Sequence, residues 1–234
     1  TRLTVNGLLN AVGTDTQRIT FTRDPAGTAT WNGIYFSNTA QANKLAYADI
    51  EYAGVGGPDT QIASSTVDVE HVMWNHVGSG QRIVDITGNP NFSITNCITG
   101  NLTGEEPMHY LGPHVFPAGS RAIVQGNIYG VTTGHNDIFD FTGGSRPGPI
   151  VQFINNIFTG TGTGGVAADD QLDLDGTDAH VEGNVFMNVI HSLTADTNSS
   201  ISGGSNDFGS GAVSSHIVST RNFYYNVDFG VLSK

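Results

Sequence analysis

Short segments of alternating apolar and polar residues recur along the whole chain, and no stretch carries the 3.6-residue period of an amphipathic helix. Seven segments share one pattern of strand, turn residue and apolar pair: 45–52, 67–74, 92–98, 124–129, 153–158, 181–186 and 218–224. Aligned, they place Asp49, His71, Asn96, Asn127, Asn156, Asn184 and Asn222 in one column, with steps of 22, 25, 31, 29, 28 and 38 residues. Such spacing fits a solenoid coil of roughly 20 to 30 residues lengthened by loops. Asn suits this column for two reasons. It tolerates the left-handed backbone of a tight turn, and stacked amides hydrogen-bond from coil to coil.

A second column has a polar residue between two apolar ones. Its segments are Ile34-Tyr35-Phe36, Val84-Asp85-Ile86, Met108-His109-Tyr110, Phe139-Asp140-Phe141 and Leu172-Asp173-Leu174. Period-2 alternation directs the flanking residues inward and the central one outward. Gly88, Gly112, Gly143 and Gly176 follow the last four segments and end the strands. Two locked columns predict an all-β fold, a right-handed parallel β-helix of about seven coils, in which equivalent residues lie roughly 4.8 Å apart. An antiparallel sandwich would instead give hairpin signals at closer spacing, and a propeller a longer repeat. Residues 1–234 read as a single β-helix domain, with insertions at 105–120 and 193–211 and a Gly/Thr loop at 160–165.

Only 13% of residues are charged, and Gly, Asn, Thr, Ser and Asp fill the polar positions. There are 21 acids against 9 Lys plus Arg, a net charge of −12, which repels phosphate backbones and argues against a nucleic-acid partner. Cations, or sugars hydrogen-bonded by carboxylates, suit it better. Cys97 is the only cysteine, so no intrachain disulfide forms, and its apolar neighbours predict a buried thiol. No run of 18 apolar residues predicts a membrane span. The chain reads as a domain excised from a larger secreted protein, extracellular or at the cell surface of a bacterium, with other domains of the same polypeptide as neighbours.

The candidate chemistry lies on the second column. Asp85, His109, Asp140 and Asp173 are each preceded three residues earlier by Arg82, Glu106, Asp137 and Asp170, with Asp169, Asp175 and His135 close by in sequence. Carboxylates about 5 Å apart repel unless a shared proton, a cation or a group such as Arg82 compensates. Read structurally, the same ladder only satisfies turns and keeps the surface soluble. Read functionally, it is a binding or catalytic face, with Arg82, Asp85, His109 and His135 contacting substrate and Tyr35 as a sugar platform.

The repeats resemble the right-handed parallel β-helix superfamily of pectin-active, pectin-lyase-like proteins over nearly the whole chain. The strand 135–141 is similar to the Asn-x-Asp-Gly-(Ile/Phe)-Asp strand of polygalacturonase-type glycoside hydrolases, and 168–174 to their Asp-Asp strand. The resemblance implies Asp137, Asp169 and Asp170 as the acid/base residues of an extracellular polysaccharide hydrolase that requires no cofactor. Inverting hydrolysis needs carboxyl groups about 6.5–9.5 Å apart. Resemblance to pectate-lyase-like members implies instead a calcium-dependent lyase, with Asp140, Asp173 and Asp175, joined by Asp170, as Ca²⁺ ligands and an arginine as base. The family's Gly-His-Gly strand and Arg-x-Lys clamp are missing here. That keeps a third reading open, a non-catalytic glycan- or calcium-binding module.

Overall fold

Each coil of this chain turns its corners at single residues, and sequence chemistry at those residues sets the architecture. At one corner the backbone passes through a positive φ at Tyr47 (48°), His71 (51°), Asn96 (55°), Gly126 (69°), Asn155 (55°), Gly183 (68°) and Arg221 (56°). One left-handed residue between two extended segments bends the chain sharply without breaking the strand pairing on either side. Asn38, Ser64 and Gly88 do the same at a second corner, with φ of 50°, 44° and 70°.

The computed structural model describes residues 1–111, 118–134, 137–142, 151–160, 170–175, 177–191, 194–195 and 216–233. Residues 112–117, 193 and 196–211 of the expected insertions, and 161–165 of the Gly/Thr loop, lie outside the described residues. The fold is an all-β parallel β-helix, which among the described residues has three long parallel sheets of nine, eight and eight strands and a two-stranded one. The first sheet contains Ile34–Ser37, Thr60–Ala63, Val84–Thr87, Met108–Leu111, Phe139–Thr142 and Asp173–Asp175. The second contains Asn43–Ala46, Thr66–Glu70, Asn91–Thr95, Ala122–Gln125, Val151–Ile154 and Asp178–Glu182. Short strands such as Met73–Asn75, Ile98–Thr99, Ile128–Tyr129 and Ile157–Phe158 build the third. The seven aligned sequence segments occupy seven successive coils, and strands between Leu3 and Phe21 add one before them. Among the described residues no helix is long and apolar enough to cross a membrane.

In-register stacking puts like on like inside the tube. Phe36, Ile62, Ile86, Tyr110 and Phe141 line the inner face of the first sheet, and Leu45, Val69, Ile94, Val124, Phe153 and Val181 that of the second. On the third, Tyr129, Phe158, Phe186 and Tyr224 stack at centroid separations of 5.2, 4.9 and 5.6 Å. Each fully buried large side chain contributes about 1.5–3 kcal/mol.

The predicted Asn column is real but shifted for its first members. Asn127, Asn156 and Asn184 lie fully buried, each one residue after the positive-φ corner. Asn156 Oδ1 accepts from the amide N–H and the side-chain Nδ2 of Asn127, both at 3.0 Å, while its own Nδ2 donates to Val124 O at 2.9 Å. Asn184 and Asn222 repeat the arrangement above it. Ala48, Val72 and Cys97 fill this slot in earlier coils, so Asp49 falls one residue beyond it and His71 and Asn96 occupy the corner itself. The corner alternates Asn96, Gly126, Asn155, Gly183 because a Cβ on either glycine would collide with the amide oxygen of the asparagine below. Cys97 acts as a ladder member: its Sγ accepts from Val72 N at 3.4 Å, and burial pushes the thiol up to about 12.

Replacing Asn156 by Ala removes the acceptor of the Asn127 N–H and of one Asn127 Nδ2 hydrogen and the donor to the Val124 carbonyl, all on the adjacent coil, an expected loss on the order of 3 kcal/mol in denaturant titration. Exposed Gln125→Ala, on an ordinary extended backbone, measured alongside, is expected to change stability by under about 0.5 kcal/mol. Cys97 is expected to stay unreactive toward a thiol reagent at mildly alkaline pH until denaturant unfolds the chain.

Candidate functional site

The outer face of the first sheet carries one continuous column, as the alternation predicts. Tyr35, Gln61, Asp85, His109, Asp140 and Asp173 are successive cross-strand partners. Beside it, Asp137 and Asp170 are bridged directly across adjacent coils, and the Arg82 side chain reaches Glu106. Asp169 and His135 lie outside the described residues, and for Asp175 only the backbone, paired with Thr142, is described.

The wall divides into two parts of different electrostatics. In the first, charges are paired. Arg82 Nε donates to Glu106 Oε2 at 2.7 Å and lies 3.5 Å from Glu105, and Arg82 Nη1 lies 3.6 Å from Asp85. Asp85 Oδ1 holds His109 Nδ1 at 2.8 Å, and Asp85 Oδ2 accepts from Gln61 Nε2 at 3.2 Å. With Nδ1 turned to Asp85, the imidazole presents Nε2 to Asp140, 4.0 Å away. A surface pocket of about 270 Å³ opens here, lined by Gly57, Pro58, Gly80, Gln81, Arg82, Asp85 and Glu105.

In the second part carboxylates converge. One oxygen each from Asp137, Asp170 and Asp173 lie within 4.8 Å of one another, and the three residues are 4%, 2% and 0% exposed. This revises two expectations. Asp173 does not reach solvent although it alternates with Leu172 and Leu174, because alternation fixes which face a residue takes and not whether that face is covered. The grouping also differs: Asp173 meets Asp137 and Asp170, which the sequence suggested as acid/base residues, and Asp140 stays partly exposed beside His109. Three monodentate oxygens within 4.8 Å fit a single Ca²⁺, whose ligands sit about 2.3–2.6 Å from the ion and hence up to about 5 Å apart.

Tyr35 lies in the column but one ring face is taken: the Arg2 guanidinium sits 4.4 Å above it. Trp74 and Tyr110 are buried in the core. Sequence reasoning missed three residues. Gln61 escaped the apolar-polar-apolar pattern because Thr60 fills the inward slot, where its hydroxyl accepts from Trp74 Nε1 at 3.0 Å. Glu105, placed in an insertion, contacts Arg82. Asp59 stands alone in sequence, yet it is fully buried with neither carboxyl oxygen hydrogen-bonded, and burial raises its pKa from 3.8 to about 7. Only coil stacking reveals it, since glycines at 54, 56, 57, 78 and 80 mark the loops around it merely as turns.

No protein family, no curated protein and no solved structure matches this chain.

The Asp59 shift sets a pH dependence. The folded state holds its proton more tightly than the unfolded chain, so its contribution to stability is complete below about pH 4 and is lost as pH rises to about 7. Relative to Asp59→Asn, the wild type is expected to lose up to about 4 kcal/mol across that window, measured by denaturant titration at several pH values.

Proposed function

We propose that the chain is an extracellular polysaccharide-active β-helix that works along the outer wall of its first sheet and holds a divalent cation, Ca²⁺ by its oxygen donors, at Asp137, Asp170 and Asp173. The observation that carries this reading is the convergence of three buried carboxylates from adjacent coils beside a partly exposed wall of paired charges. All three donors are carboxylate oxygens from adjacent coils, and an all-oxygen donor set suits a hard cation. When bound, Ca²⁺ would offset most of the cluster's negative charge and fix the coils that carry it.

The wall beside the cluster has proton-transfer chemistry of its own. Asp85 orients His109 through Nδ1, leaving Nε2 as a base or acid on the partly exposed face. Arg82 is held in place by Glu106. The resemblance to pectin-lyase-like β-helices supports carbohydrate as the partner, and within it the calcium-binding module fits the geometry best. The hydrolytic reading uses Asp137 and Asp170 as acid and base, and inversion needs their carboxyl groups about 6.5–9.5 Å apart to admit a water.

Calorimetry with Ca²⁺ is expected to give a single site that Asp173→Asn weakens at least tenfold, and a chelator is expected to lower the melting temperature of the wild type only. Absence of any Ca²⁺ heat or thermal shift removes the metal assignment. Incubation with acidic and neutral polysaccharides, read for reducing ends and for ultraviolet absorbance of unsaturated ends, separates the chemistries. Unsaturated ends mark a lyase, reducing ends alone a hydrolase, and binding without either a non-catalytic module.

A further inference from the structure

The pocket at the charge-paired part of the wall carries information about the kind of sugar it accepts. Its volume of about 270 Å³ lies just below the range of about 300–1,000 Å³ for sites that enclose a drug-sized ligand, which limits it to roughly one ring. Pro58 and the bare backbone of Gly57 and Gly80 form one side of it, while Gln81, Asp85 and Glu105 bring polar groups that can accept from a ligand.

Arg82 is the single cation among the described lining residues, and it is already committed. Glu106, 2% exposed, grips its Nε from within, with Glu105 at 3.5 Å and Asp85 at 3.6 Å completing the ring. Asp85 is in turn tied to His109 and Gln61. A uronate entering the pocket would become the fourth carboxylate around one guanidinium. Asp59, buried between lining residue Pro58 and Thr60, supplies no positive charge either. Hydroxyl or ammonium donors, by contrast, meet the carboxylates of Asp85 and Glu105 that line the pocket.

Building on the carbohydrate reading above, we infer that this pocket binds a sugar unit without a carboxylate, neutral or amine-bearing, and rejects uronates. The preference departs from the acidic polymers that a pectin-like resemblance implies. Like-charge repulsion at contact range makes the discrimination tenfold or more, on the order expected for partly screened charges.

The test is calorimetry of the whole chain, with chelator present so that no metal bridges a uronate, against three probes of equal length: a glucosamine hexamer, a cellulose-type glucose hexamer and a galacturonate hexamer. The expected result is binding of the glucosamine or glucose hexamer at least tenfold tighter than the galacturonate. Glu105→Gln is expected to weaken it at least threefold, and Glu105→Arg, at a side chain 30% exposed, to shift preference toward galacturonate. Equal or tighter binding of galacturonate by the wild type overturns the inference and leaves the carbohydrate reading standing. Binding of a neutral or amine sugar that neither Glu105 variant nor Gln81→Ala alters overturns the pocket assignment. Failure of all three probes to bind overturns the inference and the carbohydrate reading together.

Discussion

Parallel in-register hydrogen bonding between successive coils is the constraint on which this molecule depends. Each strand pairs with its counterpart one coil before and one coil after, as Asp85 does with Gln61 and His109, so every residue sits roughly 4.8 Å above its equivalent. Stacking of this kind multiplies whatever a single position holds. Apolar positions become continuous aromatic and aliphatic columns, and a polar position becomes a ladder. The Asn127–Asn156–Asn184–Asn222 ladder is the clearest case: each amide satisfies the backbone of the coil below and depends on the side chain of the coil above.

The same multiplication makes the outer wall chemically unusual. A carboxylate at a column position acquires a carboxylate or its equivalent on the next coil, and the repulsion has to be resolved locally. Two solutions coexist on one sheet. Between Arg82 and His109, opposite charges interleave and each acid has a cationic or donor partner. At Asp137, Asp170 and Asp173, acids meet acids in a nearly solvent-free place. The first arrangement lines a pocket in which the Arg82 guanidinium is already paired with acids. The second has the donor chemistry of a hard-cation site. The charge-paired pocket and the carboxylate cluster lie on neighbouring but different coils.

Much of this was legible in the residues. Apolar-polar-apolar triplets gave the wall column from Tyr35 to Asp173, and the asparagines gave the coil period. Errors of one residue arose where Ala48, Val72 or Cys97 stands in the ladder slot, because alignment by polarity then moves to the nearest polar neighbour. Gln61 was lost for a related reason, a buried Thr60 in an apolar position stabilised by a tryptophan N–H from the same coil.

What the sequence determined by itself was periodicity: which residues face in, which face out, and which recur at each turn, since these follow from strand alternation and local corner geometry. What tertiary structure decided was burial and company. Nothing local marks Asp59, and Asp173 reads as an outward-facing acid of the candidate site; only the packing of coils and loops around them takes them out of water. The partners of Arg82 and the meeting of Asp137 with Asp173 likewise depend on distances between coils more than 20 residues apart, which no local pattern encodes.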